Sequence, residues 1–248
     1  MIDPTLFAEP QALDRVKHRN LRVKPAVMRH DRTAGMNALF ITAVEFGDVC
    51  REYPIVFVDA GQAADGQREV APMAVLGLAQ GENLMLGTDG AWGARYTPAM
   101  LRGYPIGLAP ANAQDFTVCI DARAVDPNSL EGEPLFDDAG QATAFLDERR
   151  KFVEELEREA QRTRLLGRRL NELGLLRSMR FDATLADGSK IAVDGFQAID
   201  EEKLAALPEA TVFDLHKSGV LALIHAQQIS MGMMRALVER RVARQAAA

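Results

Sequence analysis

Residues 42–58, TAVEFGDVCREYPIVFV, constrain the fold more than any other stretch. Thr42 and Glu45 stand at capping-box spacing, in which the hydroxyl accepts an early helical amide and the glutamate reaches back to the cap. Phe46, Val49, Cys50 and Tyr53 follow at helical spacing and share one face. Pro54 disfavours helical geometry at Tyr53, so the helix is predicted to stop there. The next four residues, IVFV, are β-rich and unbroken. Such a strand has both faces covered, which predicts a central strand. The chain is therefore expected to pack a helix on a sheet.

The flanking residues extend this picture. Residues 1–20 are polar, contain two prolines, and are expected to form an arm on the surface. Residues 21–28 alternate loosely and predict an edge strand, where proline is tolerated. Residues 59–72 are rich in Gly, Asp and Gln and predict a hairpin loop, with 73–78 as the returning strand. Residues 84–86 predict a short strand, followed by a turn at Thr88-Asp89-Gly90. Thr97 and Pro98 predict a helix start, and the helix is expected to end by Gly103. Residues 106–109 and 116–121 read as strands. In the second of these Phe116, Val118 and Ile120 face one way, and Thr117, Cys119 and Asp121 the other.

Residues 126–140 form an acidic, turn-rich loop. Residues 142–173 carry the longest helical pattern, with Gly174 suited to its C-terminus. Residues 181–185 and 191–193 alternate around Asp187-Gly188, a strong hairpin signal. Asp200 caps a short helix, Pro208 opens another, and a last helix is predicted over 220–243 after the break at Gly219. The fold class is thus α+β, with a mostly antiparallel sheet lobe over 1–140. A long helix, a β-hairpin and C-terminal helices fill 141–248, and the two parts are expected to dock as one compact unit.

Charge and composition exclude several functions. The net charge of −6 argues against nucleic acid as a partner. No stretch approaches the length of an uncharged apolar span, so no membrane span is expected. The N-terminus lacks the basic and apolar regions of a signal peptide. Two cysteines without a CxxC spacing are expected to be buried reduced thiols, which suits a reducing compartment and a cytoplasmic location. Nucleophile elbows, SxxK, GxGxxG and Walker A patterns are missing, so neither a nucleophile nor a nucleotide cofactor is indicated. The histidines His18, His30, His216 and His225 form no metal-ligand pattern, and no metal is expected.

Two clusters remain. Trp92, Arg95, Tyr96, Arg102 and Tyr104 place two guanidinium groups near the one Trp and two of the three Tyr. Arginine can clamp a carboxylate in bidentate fashion, and aromatic rings supply rigid contact area. This cluster is the candidate site for an anionic or aromatic ligand, or for a partner's peptide. Its plainer reading is that the arginines pair with the acidic loop and stack on the rings to hold the fold. The acidic loop, through Glu131, Glu133 and Asp137, is a second candidate, since oxygen ligands at short spacing can hold calcium. Its plainer reading is a turn.

Several segments together resemble the bacterial SapC family. They are REYPIVFV (51–58), WGARYTP (92–98), RGYPIGLA (102–109), FTVCID (116–121) and EGEPLFD (131–137), then LNELGLL (170–176), GFQAIDEEKL (195–204) and LHKSGVLALIHAQQISMG (215–232). The family's name derives from association with a bacterial surface layer and serum resistance. Its members are encoded beside flavin-dependent tryptophan-halogenase-like enzymes and outer-membrane receptors. The resemblance therefore implies an accessory role in substrate uptake or modification, with a flavin-dependent enzyme or a transport component as partner. It carries over no catalytic residues. The expected function is a non-catalytic binding or accessory protein. The alternatives are an enzyme without a recognisable motif and a surface-layer protein. A carboxylate of strongly raised pKa in a deep pocket would favour the enzyme.

Overall fold

The structure, a computed structural model, describes residues 2–24, 33–63, 66–87, 89–112, 115–185 and 188–246. In chain order the strands are β1 (Pro10–Ala12), β2 (Arg22–Val23), β3 (Ala38–Phe40), β4 (Ile55–Gln62), β5 (Arg68–Val75), β6 (Ile106–Pro110), β7 (Phe116–Asp121), β8 (Glu133–Pro134), β9 (Leu176–Thr184) and β10 (Lys190–Ile199). The helices are α1 (Phe46–Val49), α2 (Ala99–Gly103), α3 (Ala144–Glu172), α4 (Glu201–Ala205), α5 (Glu209–Lys217), α6 (Val220–Ser230) and α7 (Met233–Ala246). The strands pair antiparallel, and the fold is α+β, as the sequence predicts.

The chain divides into two compact units, and the division does not fall at residue 140. The first unit joins Met1–Thr33 to Ala99–Arg158, and the second joins Ala34–Pro98 to Glu159–Ala248. The reason is non-local pairing. Strand β1 pairs with β7, Pro10 opposite Asp121, which binds the N-terminal residues to a segment over a hundred positions away. Helix α3 is 29 residues long and runs through the boundary.

In the first unit the order β1-β7-β6 makes a three-stranded sheet, and β2 pairs with β8. Ile106, Leu108, Ile120, Leu135, Leu146 and Val153 form its buried core. The expected surface arm is an integral part of this unit. Leu6 and Phe7 are buried, and the Phe7 ring meets Tyr104 edge-on at 5.2 Å. At the end of β7 Cys119, Ile120 and Asp121 are all buried, so both alternating sets are covered there. The predicted strand at 21–28 is described only as β2, and residues 25–28 lie outside the described residues.

In the second unit the order β3-β5-β4-β10-β9 makes a five-stranded sheet with β4 in the middle. The central position expected for residues 55–58 is therefore found. Phe46, Val49, Cys50 and Tyr53 all lie in the core, as their spacing predicts. Glu45 closes the helix start by taking both the backbone N–H and the hydroxyl of Thr42, each at 2.8 Å. The helix opens as a tight 3-10 turn over Ala43–Glu45 before α1. The expected loop at 59–72 is largely strand. β4 and β5 pair out to Gln62 and Arg68, with a bulge at Asp59/Gly61. This half of the hairpin is mostly exposed, so its polar residues carry no alternating pattern to read. At 84–86 the structure has a single bridge, Leu86 to Trp92. Thr88 and Asp187, expected in turns, lie outside the described residues.

The predicted last helix is two helices, α6 and α7, broken near Gly232. Helix α3 lies close on β5. A Cβ at Gly167 would sit 2.5 Å from the Val70 carbonyl oxygen, so only glycine permits this approach. Helix α6 completes the sheet itself. Among the described residues β10 meets β4 in register only at Gln197 and Phe57. Gln227 spans the gap beyond. Its Nε2 donates to the Ile55 carbonyl at 3.0 Å, and its Oε1 accepts the Ile199 N–H at 3.3 Å. Ser230 Oγ accepts the Ile55 N–H at 2.8 Å. Both side chains are buried.

Candidate functional site

The Arg/aromatic cluster divides between the units. Trp92, Arg95 and Tyr96 belong to the second unit, Arg102 and Tyr104 to the first. The boundary between the units falls after Pro98, within the cluster.

The second-unit part is a built site. Glu52, at the end of the turn after α1, accepts the backbone N–H of Arg95 and of Tyr96, one on each carboxylate oxygen at 2.8 Å. Tyr53 Oη donates to the Tyr96 carbonyl oxygen and accepts the Trp92 indole N–H at 2.9 Å. Burial raises the Tyr53 phenol well above its ordinary pKa, so it stays a neutral donor. Tyr96 Oη in turn donates to Glu45 Oε1 at 3.0 Å. Helix α7 holds the preceding loop. Arg240 donates to the Gly93 carbonyl at 3.0 Å, and Arg244 to the carbonyls of Asn83 and Leu86.

These bonds fix the backbone of 92–96 and leave the Arg95 side chain exposed. Among the described residues its guanidinium has no hydrogen-bond or ion-pair partner. It lines an open cleft of about 510 Å³ with Asp48, Arg51, Glu52 and Tyr96. Arg51 lies 3.9 Å from Asp48, a distant exposed pair. Glu52 is committed to the two backbone amides. The cleft thus offers two guanidinium groups beside one aromatic ring, an arrangement suited to an anionic group. Asp48, Arg51 and Glu52 were not singled out from the sequence, and Tyr53 was read only as a core residue. Their signal was the REYP stretch beside a predicted helix end.

Tyr96→Phe removes the phenol donor to the buried Glu45 carboxylate and should cost about 1.5–3 kcal/mol, the range for a hydrogen bond to a charged group. Denaturant unfolding of the two proteins measures it.

Arg102 and Tyr104 have structural surroundings. The Arg102 guanidinium stacks on Phe152 at 5.3 Å, and Arg149 stacks on the same ring at 5.5 Å. Tyr104 Oη donates to Asp121 Oδ2 at 2.8 Å. The acidic candidates also have separate partners. Glu131 pairs with Lys24 at 2.5 Å, which lowers its pKa. Glu133 lies in β8 opposite Val23. Asp137 Oδ1 accepts the N–H groups of Ala139 and Gln141 at 2.9 and 2.8 Å, a turn. Among the described residues no three His, Cys, Asp or Glu side chains are grouped to hold a metal ion. No described helix is long and apolar enough to cross a membrane.

The architecture defines an α+β protein of antiparallel sheets with a polar cleft beside the end of α1. The SapC family matches residues 13–237 of the 248, and the chain belongs to that family. No curated protein and no solved structure matches it. Two segments of the family resemblance, 51–58 and 92–98, meet at the cleft through Glu52 and Tyr53.

Proposed function

We infer that this SapC-family chain is a binding or accessory protein that takes an anionic group into the cleft at Arg95. The group belongs to a small ligand or to a protein partner. The observation that carries this reading is the exposed Arg95 guanidinium on a backbone held at both residues 95 and 96 by Glu52. A preorganised arginine loses less freedom on binding than one on a slack loop. Arg51 adds a second charge and Tyr96 a flat surface. The family resemblance supplies the setting, an accessory to a flavin-dependent enzyme or to an uptake system, and the free buried thiols of Cys50 and Cys119 suit a cytoplasmic location.

Trp92 is the one tryptophan, and its indole donates to Tyr53, which holds the carbonyl of the cleft residue Tyr96. Its emission should change saturably as small carboxylates and phosphate esters are titrated in. Arg95→Ala should abolish the response while changing stability by no more than about 0.5 kcal/mol, as expected for an exposed side chain. An equal response in Arg95→Ala would place binding elsewhere.

A further inference from the structure

We propose that β9 is an interface with a second copy of this chain, the two β9 strands pairing antiparallel about Phe181. Strand β9 is an edge of the five-stranded sheet, and among the described residues it pairs only with β10. It is nine residues long, whereas the opposite edge, β3, has three. A long open edge presents a row of unpaired backbone donors and acceptors to another strand.

The occupant follows from the side chains. Residues 178–184 read SMRFDAT, and this run is complementary to itself about its centre. With Phe181 opposite Phe181, Arg180 of each copy lies opposite Asp182 of the other. Met179 then meets Ala183, and Ser178 meets Thr184. Aromatic pairs and opposite charges directly across an antiparallel pair are stabilising. Moving the centre by one residue either way sets Arg180 against Arg180 or Asp182 against Asp182, so charge disfavours both neighbouring registers. The charges stand ready for this exchange. Within one strand Arg180 Nε already holds both Asp182 oxygens, at 2.9 and 3.0 Å, and both side chains are largely exposed. Met179, Phe181 and Ala183 lie on the opposite, half-buried face. Pairing would continue the five-stranded sheet into its symmetry mate about a two-fold axis, with the same patch on both sides.

Sedimentation velocity of the full chain, from micromolar to millimolar concentration, tests this. Wild type should show a concentration-dependent dimer. Arg180→Asp and Asp182→Arg should each weaken it by at least about tenfold, because each sets like charges opposite one another twice. Mixing the two variants should restore association as a heterodimer, since every facing pair is then opposite in charge. Restoration also establishes that both variants are folded. Wild type monomeric throughout would overturn the proposal and make the Arg180–Asp182 pair a guard against edge pairing. So would single variants that dimerise as wild type does, or a mixture that does not associate.

Discussion

Gln227→Leu is expected to destabilise the second unit by about 2–5 kcal/mol. Gln227 bridges β4 and β10 beyond their registered pair at Gln197 and Phe57. Replacing it with an apolar side chain of similar size leaves the Ile55 carbonyl and the Ile199 N–H buried without partners. Each orphaned group costs about 1–3 kcal/mol. Leucine recovers some apolar contact, but it supplies neither a donor nor an acceptor. The site is inaccessible, with Gln227 only 1% exposed, so bulk water does not replace the lost bonds. Guanidinium unfolding should show a lower midpoint, and the Ile199 amide should exchange hydrogen faster. Ser230→Ala should act in the same direction, because it orphans the Ile55 N–H and removes the hydroxyl donor to the Gln227 carbonyl. A Gln227→Leu protein as stable as wild type would mean that β4 and β10 close their own ladder in its absence.

The first unit should depend as heavily on Asp121. This carboxylate is fully buried, and among the described residues no arginine or lysine side chain pairs with it. Its partners are the N–H groups of Ala8 at 3.1 Å, Glu9 at 2.9 Å and Arg123 at 3.3 Å, and the Tyr104 hydroxyl at 2.8 Å. Burial alone would raise its pKa. The three amides and the phenol outweigh burial, and the net displacement is downward from 3.8. Asp121→Ala removes the acceptor for all four donors and frees the N-terminal segment from β7. Hydrogen bonds to a charged group contribute about 1.5–3 kcal/mol each. They are not additive, and a total loss of about 3–5 kcal/mol is expected.

The pH dependence has a definite sign. A folded pKa below the unfolded one gives stability that is fully present above the unfolded value and is lost as pH falls through the folded value. Asp121→Asn cannot titrate. The stability gap between wild type and this variant should therefore hold steady above pH 3.8 and close progressively below it. A gap unchanged into strong acid would show that the charge of Asp121 contributes nothing.

What the sequence revealed and what it hid divide along one physical line. The Thr42–Glu45 cap and the break at Gly219 depend on neighbours within a turn of the chain, and both are legible; the helix expected to run to Tyr53 ends at Val49 and reaches Pro54 through turns. The central position of β4 followed from an unbroken apolar run. The burial of Asp121 comes from the N-terminal residues Ala8 and Glu9, over a hundred positions away, and leaves no mark in the alternation of its strand. Gln227 carries no spacing signal of its own. Its role depends on two carbonyl and amide groups 172 and 28 residues away. The outer half of the β4–β5 hairpin was taken for loop because exposed strands need no apolar pattern. For the candidate site, Trp92, Arg95 and Tyr96 were found by residue type. Glu52 and Tyr53 were not, since holding a distant backbone leaves no signature in spacing. Arg102 and Tyr104 were grouped with them by sequence distance alone.

The most direct test of the Arg95 cleft is affinity purification of the intact chain from its native lysate, with wild type and Arg95→Ala in parallel and both bound proteins and bound metabolites identified. The account predicts a stoichiometric partner or an anionic metabolite that accompanies wild type and is lost from Arg95→Ala, with equal thermal stability of the two baits. Identical companions on both baits would contradict it.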